Sequence, residues 1–313
     1  MKYKILISAP YLLPVVGKYR SILEARGCEV VVADVEERLE EADLLPIMGD
    51  IDGVVCGDDK FTAKVLAASP RLKVLSKWGT GIDSLDQAEC ARRGIVIKNI
   101  SNAFSEPVGD TVLGWMLSFA RRFQQQTENM RIGGWEKLPG HALNEKTLGV
   151  VGVGNTGKAV IRRAHAFGMR ILGNDIVEVD PAFIVQHGME MTDLESLLKQ
   201  SDYVSLNCDL NETSEFIMNS RTLALLKPDA VLMNAARGPL IRENDLVEAL
   251  QAGRIKGAAL DVYEHEPLPL DSRLRSLPNV ILSAHNANSS PLAWERVHER
   301  AIENMMQVLE AGS

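Results

Sequence analysis

The chain of 313 residues is 46% hydrophobic and 24% charged, with a formal net charge of -8. That length leaves room for two cores, and the negative surface argues against nucleic acid or an anionic membrane as a partner. Cys28, Cys56, Cys90 and Cys208 are far apart and show neither a C-x-x-C pair nor metal-ligand spacing, so they read as reduced core thiols and no bound metal is expected. The opening MKYKILISAPYLLP has no signal-peptide cleavage pattern, and no run approaches the roughly 18 apolar residues of a membrane span, so a cytoplasmic location is expected.

In chain order, residues 5–8, 30–33, 54–56, 74–76 and 95–97 are short β-type runs, and residues 19–26, 36–45, 63–68 and 85–93 between them have helical patterns. Such alternation predicts a parallel, doubly wound sheet. The loop SKWGTGID, residues 76–83, follows the fourth run and contains Lys77, Gly79, Thr80 and Gly81. A glycine-rich loop at the C-terminal end of a strand can turn its N–H groups toward an anion, or can serve only to reverse the chain. A long helix is predicted from Ser105, with Ser105 as its capping hydroxyl, Glu106 near its positive end and Pro107 in its first turn. Residues 123–145 are polar and read as an exposed arm.

Residues 147–175 read TLGVVGVGNTGKAVIRRAHAFGMRILGND. Residues 147–153 are a strand-length apolar run, followed by Gly152, Gly154 and Gly157 in G-x-G-x-x-G spacing and by a helical pattern that Gly168 ends. Without side chains there, the backbone can turn sharply and approach a pyrophosphate placed at the N-terminus of the helix. Asp175 lies about 20 residues beyond the turn, where a carboxylate bonds the ribose hydroxyls of NAD and repels the 2'-phosphate of NADP. Strand, turn, helix and acid together predict a dinucleotide site, with Asn155 and Thr156 between its glycines. The first half of the chain has no such motif and is the expected home of substrate contacts. Further strands are predicted at 203–207, 231–234, 257–262 and 280–283, and helices at 193–199, 221–226, 243–252 and 293–310. Six strands then form the dinucleotide-binding domain, residues 100–286, and the last helix returns to the first domain, residues 1–99 plus 287–313.

Three polar residues follow predicted strands of the second domain: Arg237 after VLMNAA, Glu266 in DVYEHEPLPL and His285 after VILSA. Together they supply a fork for a carboxylate, an acid/base group and a carboxylate to orient it, which suits reduction of a 2-keto acid. GTGID, GVGNTG with Asp175, KPDAVLMNAARGPLI, AALDVYEHEPLP and NVILSAH resemble the D-isomer-specific 2-hydroxyacid dehydrogenases over essentially the whole chain. The resemblance implies a Rossmann NAD-binding domain inserted in a flavodoxin-like substrate domain. It also implies that Arg237, Glu266 and His285 are catalytic, that Asp261 holds the nicotinamide amide, and that Ala235 lies against the cofactor. Backbone N–H groups around Thr80 and Gly81 would take the substrate carboxylate, and Lys77 beside them could meet a second anionic group or simply be solvated. Glu264 and His265 fall off the motif positions and read as loop residues.

The expected reaction is hydride exchange between NAD(H) and a D-2-hydroxy acid/2-keto acid pair such as phosphoglycerate, glycerate or glyoxylate/hydroxypyruvate. The alternative is an NAD(H)-sensing binding protein with the same fold. A homodimer through the cofactor domains is implied, the helix from Pro107 and the arm reaching the partner. No regulatory extension follows the last helix, so feedback by a bound amino acid is not expected. Ala284, Asn286 and Asn288 around His285, and Asn207 and Asp209 in the adenine-side loop, depart from the family pattern, as does Asp110 on the long helix.

Overall fold

A computed structural model describes residues 2–311. The chain divides into two compact units, one made of the residues through Ala103 together with those from Ser290, the other of Phe104–Ser289.

The first unit alternates β1 (Tyr3–Ile7), α1 (Val16–Ala25), β2 (Cys28–Val32), α2 (Glu41–Leu44), β3 (Gly53–Cys56), α3 (Ala63–Ala67), β4 (Val74–Lys77), α4 (Gln87–Arg93) and β5 (Val96–Lys98). All pairings are parallel, in the order β2-β1-β3-β4-β5. This is the flavodoxin-like order, which places loops after β1, β3 and β4 on the edge where such sheets bind ligands. The helix predicted at 36–45 shrinks to the four residues of α2 because tertiary bonds claim its first half. Leu39 N–H donates to buried Asp59 at 2.7 Å, Lys60 N–H donates to the Leu39 carbonyl at 2.9 Å, and Glu40 caps what remains. Asp59 also accepts Ser8 Oγ at 2.6 Å, and burial raises its carboxyl above the usual range.

The second unit opens with α5 (Ser105–Arg121) and α6 (Phe123–Arg131). It continues through β6 (Thr147–Val151), α7 (Asn155–Ala166), β7 (Arg170–Asn174), α8 (Pro181–His187), β8 (Met189–Met191), α9 (Leu194–Gln200) and β9 (Tyr203–Leu206). After these come α10 (Ser220–Leu223), β10 (Val231–Asn234), α11 (Glu243–Gln251), β11 (Gly257–Leu260) and β12 (Val280–Leu282). Its sheet is parallel, in the order β12-β11-β10-β9-β6-β7-β8, and the order reverses between β6 and β9. A dinucleotide crevice opens at such a reversal. The sheet has seven strands where six were predicted. The extra one, β8, is a three-residue edge strand introduced by α8, whose cap Asp180, first-turn Pro181 and left-handed Gly188 are all ordinary helix signals.

One local expectation is corrected. Ser105 does not cap α5: the capping position is Phe104, and Ser105 is a buried first helical residue whose Oγ lies 3.4 Å from Thr156 Oγ1. The arm starts with the helix α6, none of whose residues is buried, in keeping with the exposure expected of it. Asp110 has a structural part, accepting Arg163 Nε at 2.7 Å, and Glu106 pairs with the same guanidinium, so α5 is fastened to α7.

After Ser290 the chain returns to the first unit as α12 (Pro291–Ala311), burying Ala293, Val297, Ala301, Met305 and Leu309 at helical spacing. Ser76 Oγ donates to the Ala301 carbonyl at 2.7 Å and Tyr3 Oη to the Leu309 carbonyl at 2.8 Å. Among the described residues no helix is long and apolar enough to cross a membrane.

Buried His298 of α12 accepts Trp78 Nε1 on Nδ1 at 2.8 Å, and Tyr11 stacks on Trp78 at 5.0 Å. Burial, helped by Lys18 and opposed by Glu295, lowers the imidazole from 6.5 to about 4. Between those values the unfolded chain binds the extra proton, so stability is full above pH 6.5 and falls by up to about 3 kcal/mol as pH drops through 4. The midpoint of thermal unfolding should therefore fall steeply from pH 6.5 to 4.5. A His298→Gln variant, which can still accept from Trp78 but does not titrate, should flatten that dependence; an equally steep fall would refute the assignment.

Candidate active site

The glycine turn after β6 is shaped by two of its three glycines. Gly152 has φ +88, and a Cβ there would lie 2.5 Å from the Cys208 backbone nitrogen; one on Gly157 would lie 2.1 Å from the Gly152 carbonyl oxygen. Only glycine fits either place. At Gly154, by contrast, a Cβ would meet nothing within 4 Å, so that side of the turn is open to a ligand. Gly154 precedes the first residue of α7 and offers no side-chain cap, which leaves the first-turn N–H groups of a twelve-residue helix for an anion. These features fit a dinucleotide pyrophosphate.

Asp175 follows β7 and braces the same turn, its carboxylate accepting Val153 N–H at 2.6 Å and Val177 N–H at 2.9 Å. Asn155 is exposed and Thr156 half-buried beside Ser105. Burial pushes the Cys208 thiol up to about 11, so it is a packing group against the turn.

Arg237 and Ala235 lie just beyond β10. Buried Asn234 closes this loop, donating Nδ2 to the Arg237 carbonyl at 2.8 Å and accepting Ala236 N–H on Oδ1 at 3.0 Å. Arg237 Nη1 donates to the Ala236 carbonyl at 2.9 Å. A Cβ on Gly238 would lie 1.8 Å from the Tyr263 carbonyl oxygen, so the loops after β10 and β11 press together.

Glu266 and His285, 19 residues apart, are brought within 3.0 Å between Oε2 and Nδ1. The other carboxylate oxygen of Glu266 accepts Tyr263 N–H at 2.9 Å, and Tyr263 Oη donates to the Ser283 carbonyl at 2.7 Å. An ionised carboxylate only accepts, so Nδ1 carries the proton and Nε2 is the nitrogen on the far edge of the ring. His285 itself has a left-handed φ of +48. Asp261 is 1% exposed, and its carboxylate accepts Asn286 N–H and Ala287 N–H, both at 2.8 Å, together with Ser283 Oγ. Glu264, read from the sequence as a loop residue, accepts Glu243 N–H at the start of α11.

In the first unit, Lys77 is 3% exposed with Nζ 2.7 Å from Asp58 Oδ1, which rules out a solvated lysine. Gly79 has φ +130. The Gly79 and Thr80 carbonyls accept Ile100 N–H at 2.9 Å and Asn99 Nδ2 at 2.6 Å. Among the described residues no acceptor meets the N–H of Thr80 or Gly81.

The positioning groups Asn234, Tyr263 and Ser283 were not foreseen. Asn234 alone carried a signal, because Asn two residues before a turn commonly bonds the backbone ahead of it.

The sequence model described as "D-isomer specific 2-hydroxyacid dehydrogenase, NAD binding domain" matches residues 113–287. The chain belongs to the D-isomer specific 2-hydroxyacid dehydrogenase family. A glyoxylate reductase from Thermofilum pendens is 36% identical over 291 residues, covering 90% of this chain and 86% of that one. A hydroxypyruvate reductase from Thermotoga maritima is 35% identical, covering 87% and 90%. The crystal structure of a glyoxylate reductase from Paecilomyes thermophila superposes with a TM-score of 0.84 at 26% identity, covering 100% of this chain and 97% of that one. As a 2-hydroxyacid dehydrogenase the chain is an oxidoreductase that uses an NAD-type cofactor, bound by the second unit, and the sensor alternative fits less well.

Proposed function

We propose that this dehydrogenase reduces a small, unphosphorylated 2-oxo acid with NADH, foremost glyoxylate, to achiral glycolate, and hydroxypyruvate, to D-glycerate. The observation that carries the reading is the 3.0 Å contact of Glu266 with His285 Nδ1, beside the loop of Arg237. Bound NADH supplies the hydride that forms the new C–H bond. Arg237 holds the substrate carboxylate and draws electron density onto the keto oxygen. As the C=O π pair moves onto that oxygen, His285 Nε2 delivers the proton that completes the hydroxyl. Glu266 fixes the tautomer and balances the imidazolium charge. In the first unit, the N–H groups of Thr80 and Gly81 are proposed as substrate-binding groups.

The preference for an unphosphorylated acid rests on Lys77, whose charge is already matched by Asp58 at 2.7 Å. A net cation for a phosphate, as a second anionic group beside the carboxylate, is therefore missing at that position. Initial rates with NADH on glyoxylate, hydroxypyruvate, pyruvate and phosphohydroxypyruvate test this. Phosphohydroxypyruvate giving the highest kcat/KM would overturn the substrate choice, and no turnover with any acid would overturn the function.

Asp175 is proposed to select NAD over NADP. Because it also braces Val153, Asp175→Ala should do two things at once: weaken NADH binding and lower the NADH/NADPH ratio of kcat/KM by about tenfold or more, as loss of a charge-assisted bond and of a repulsion would. An unchanged ratio would remove Asp175 from the selection.

A homodimer is proposed through α6 and the arm after it, where Phe123, Met130, Ile132 and Trp135 are 50%, 52%, 76% and 82% exposed. Sedimentation as a monomer would refute it. Four free cysteines, three of them buried, suit a reducing cytoplasm.

A further inference from the structure

β11 and β12 are parallel neighbours in register at Leu260 and Leu282, so they deliver Asp261 and the segment 283–287 to the same edge of the sheet. The pairing runs on past the strands: Ser283 N–H donates to the Leu260 carbonyl at 2.9 Å and His285 N–H to the Asp261 carbonyl at 2.8 Å. The chain then turns through His285 at φ +48, in the left-handed region that residues other than glycine seldom occupy, though histidine is among those that enter it most readily. Beyond the turn, Asn286 N–H and Ala287 N–H converge on the Asp261 carboxylate, which Ser283 Oγ also meets. Successive N–H groups beside a left-handed residue form a concave anion site, and here its anion is a side chain of the protein. A carboxylate 1% exposed is closed off from water, and these donors supply the hydrogen bonds that water would otherwise give.

We infer that Asp261 is the positioning residue of His285, its carboxylate holding the left-handed turn that aims the imidazole at Glu266. The inference rests on the reading of His285 as the proton donor. It accounts for the departures around His285: the loop is gripped through backbone N–H groups, so the side chains of Asn286 and Ala287 are not what holds it. It also gives Asp261 a task separate from any contact with the nicotinamide.

Four measurements on the NADH-saturated enzyme test this, with hydroxypyruvate as substrate. His285→Gln should abolish most turnover; if it does not, the proton-donor reading fails, whatever the other variants do. Asp261→Asn turns an NH2 group against N–H donors and should lower kcat about tenfold or more while the Kd for NADH stays within about threefold. Ser283→Ala removes one donor without altering the carboxylate and should lower kcat by about two- to fivefold at unchanged NADH Kd, which keeps the test alive if Asp261→Asn fails to fold. Asp261→Glu, which restores the charge, should recover part of the kcat lost in Asp261→Asn. Unchanged kcat in both Asp261→Asn and Ser283→Ala, or a raised NADH Kd as the sole effect of Asp261→Asn, would overturn the inference.

Discussion

His285→Ala should lower kcat for hydroxypyruvate reduction by about 10²–10⁴-fold, with NADH binding nearly unchanged. The range is that of a positioned general acid. Without the proton, the alkoxide formed at the keto carbon has only Arg237 to stabilise it, so the loss falls on the chemical step. Cofactor affinity is spared because three strands of the sheet, β9, β10 and β11, lie between the pyrophosphate turn after β6 and the His285 loop after β12. Glu266→Gln should cost less, since an amide oxygen can still accept from Nδ1 and keep the tautomer while the balancing charge is lost. Turnover of His285→Ala within a few-fold of the parent would show that another group gives the proton.

Gly154→Ala and Gly157→Ala, three residues apart, should fail in opposite ways. At Gly154 nothing lies within 4 Å of the added Cβ, and φ is -73, a value any residue adopts. The variant should fold with its melting temperature unchanged, yet bind NADH about tenfold or more weakly, because the methyl occupies the space through which the backbone meets the pyrophosphate. At Gly157 the Cβ would stand 2.1 Å from the Gly152 carbonyl oxygen, a backbone atom that cannot yield without pulling α7 off β6. That variant should lose about 3 kcal/mol or more of stability, and cofactor binding with it. Calorimetry with and without NADH separates the two. Equal stability loss in both, or tight NADH binding by Gly154→Ala, would mean that the open side of the turn does not face the cofactor.

The second sheet was legible where local and long-range preferences agree. The apolar run 147–153 cannot be exposed, and the glycine spacing leaves the chain one tight way to turn. The final helix was legible for the same reason, its apolar stripe recurring at helical spacing over about 20 residues. Elsewhere the outcome depended on partners far off in sequence. Leu39 was drawn out of a helix by Asp59, and Lys77 was buried by Asp58, neither of which a window around the residue reveals. β8 was missed because three edge residues carry too short a pattern to register as a strand. At the site, motif positions named Glu266 and His285, but the hold of Asp261 on the His285 loop exists only once β11 and β12 pair. Backbone N–H donors are identical at every residue except proline, so a loop held through them leaves no signature in its side chains.

The central claim is transfer of hydride from NADH to a 2-keto acid with D configuration at the product carbon. Chiral chromatography of the glycerate formed from hydroxypyruvate, read against NADH consumed, tests it most directly. D-glycerate equimolar with NADH oxidised is the predicted result; L-glycerate, or NADH oxidised with no glycerate formed, would contradict the account.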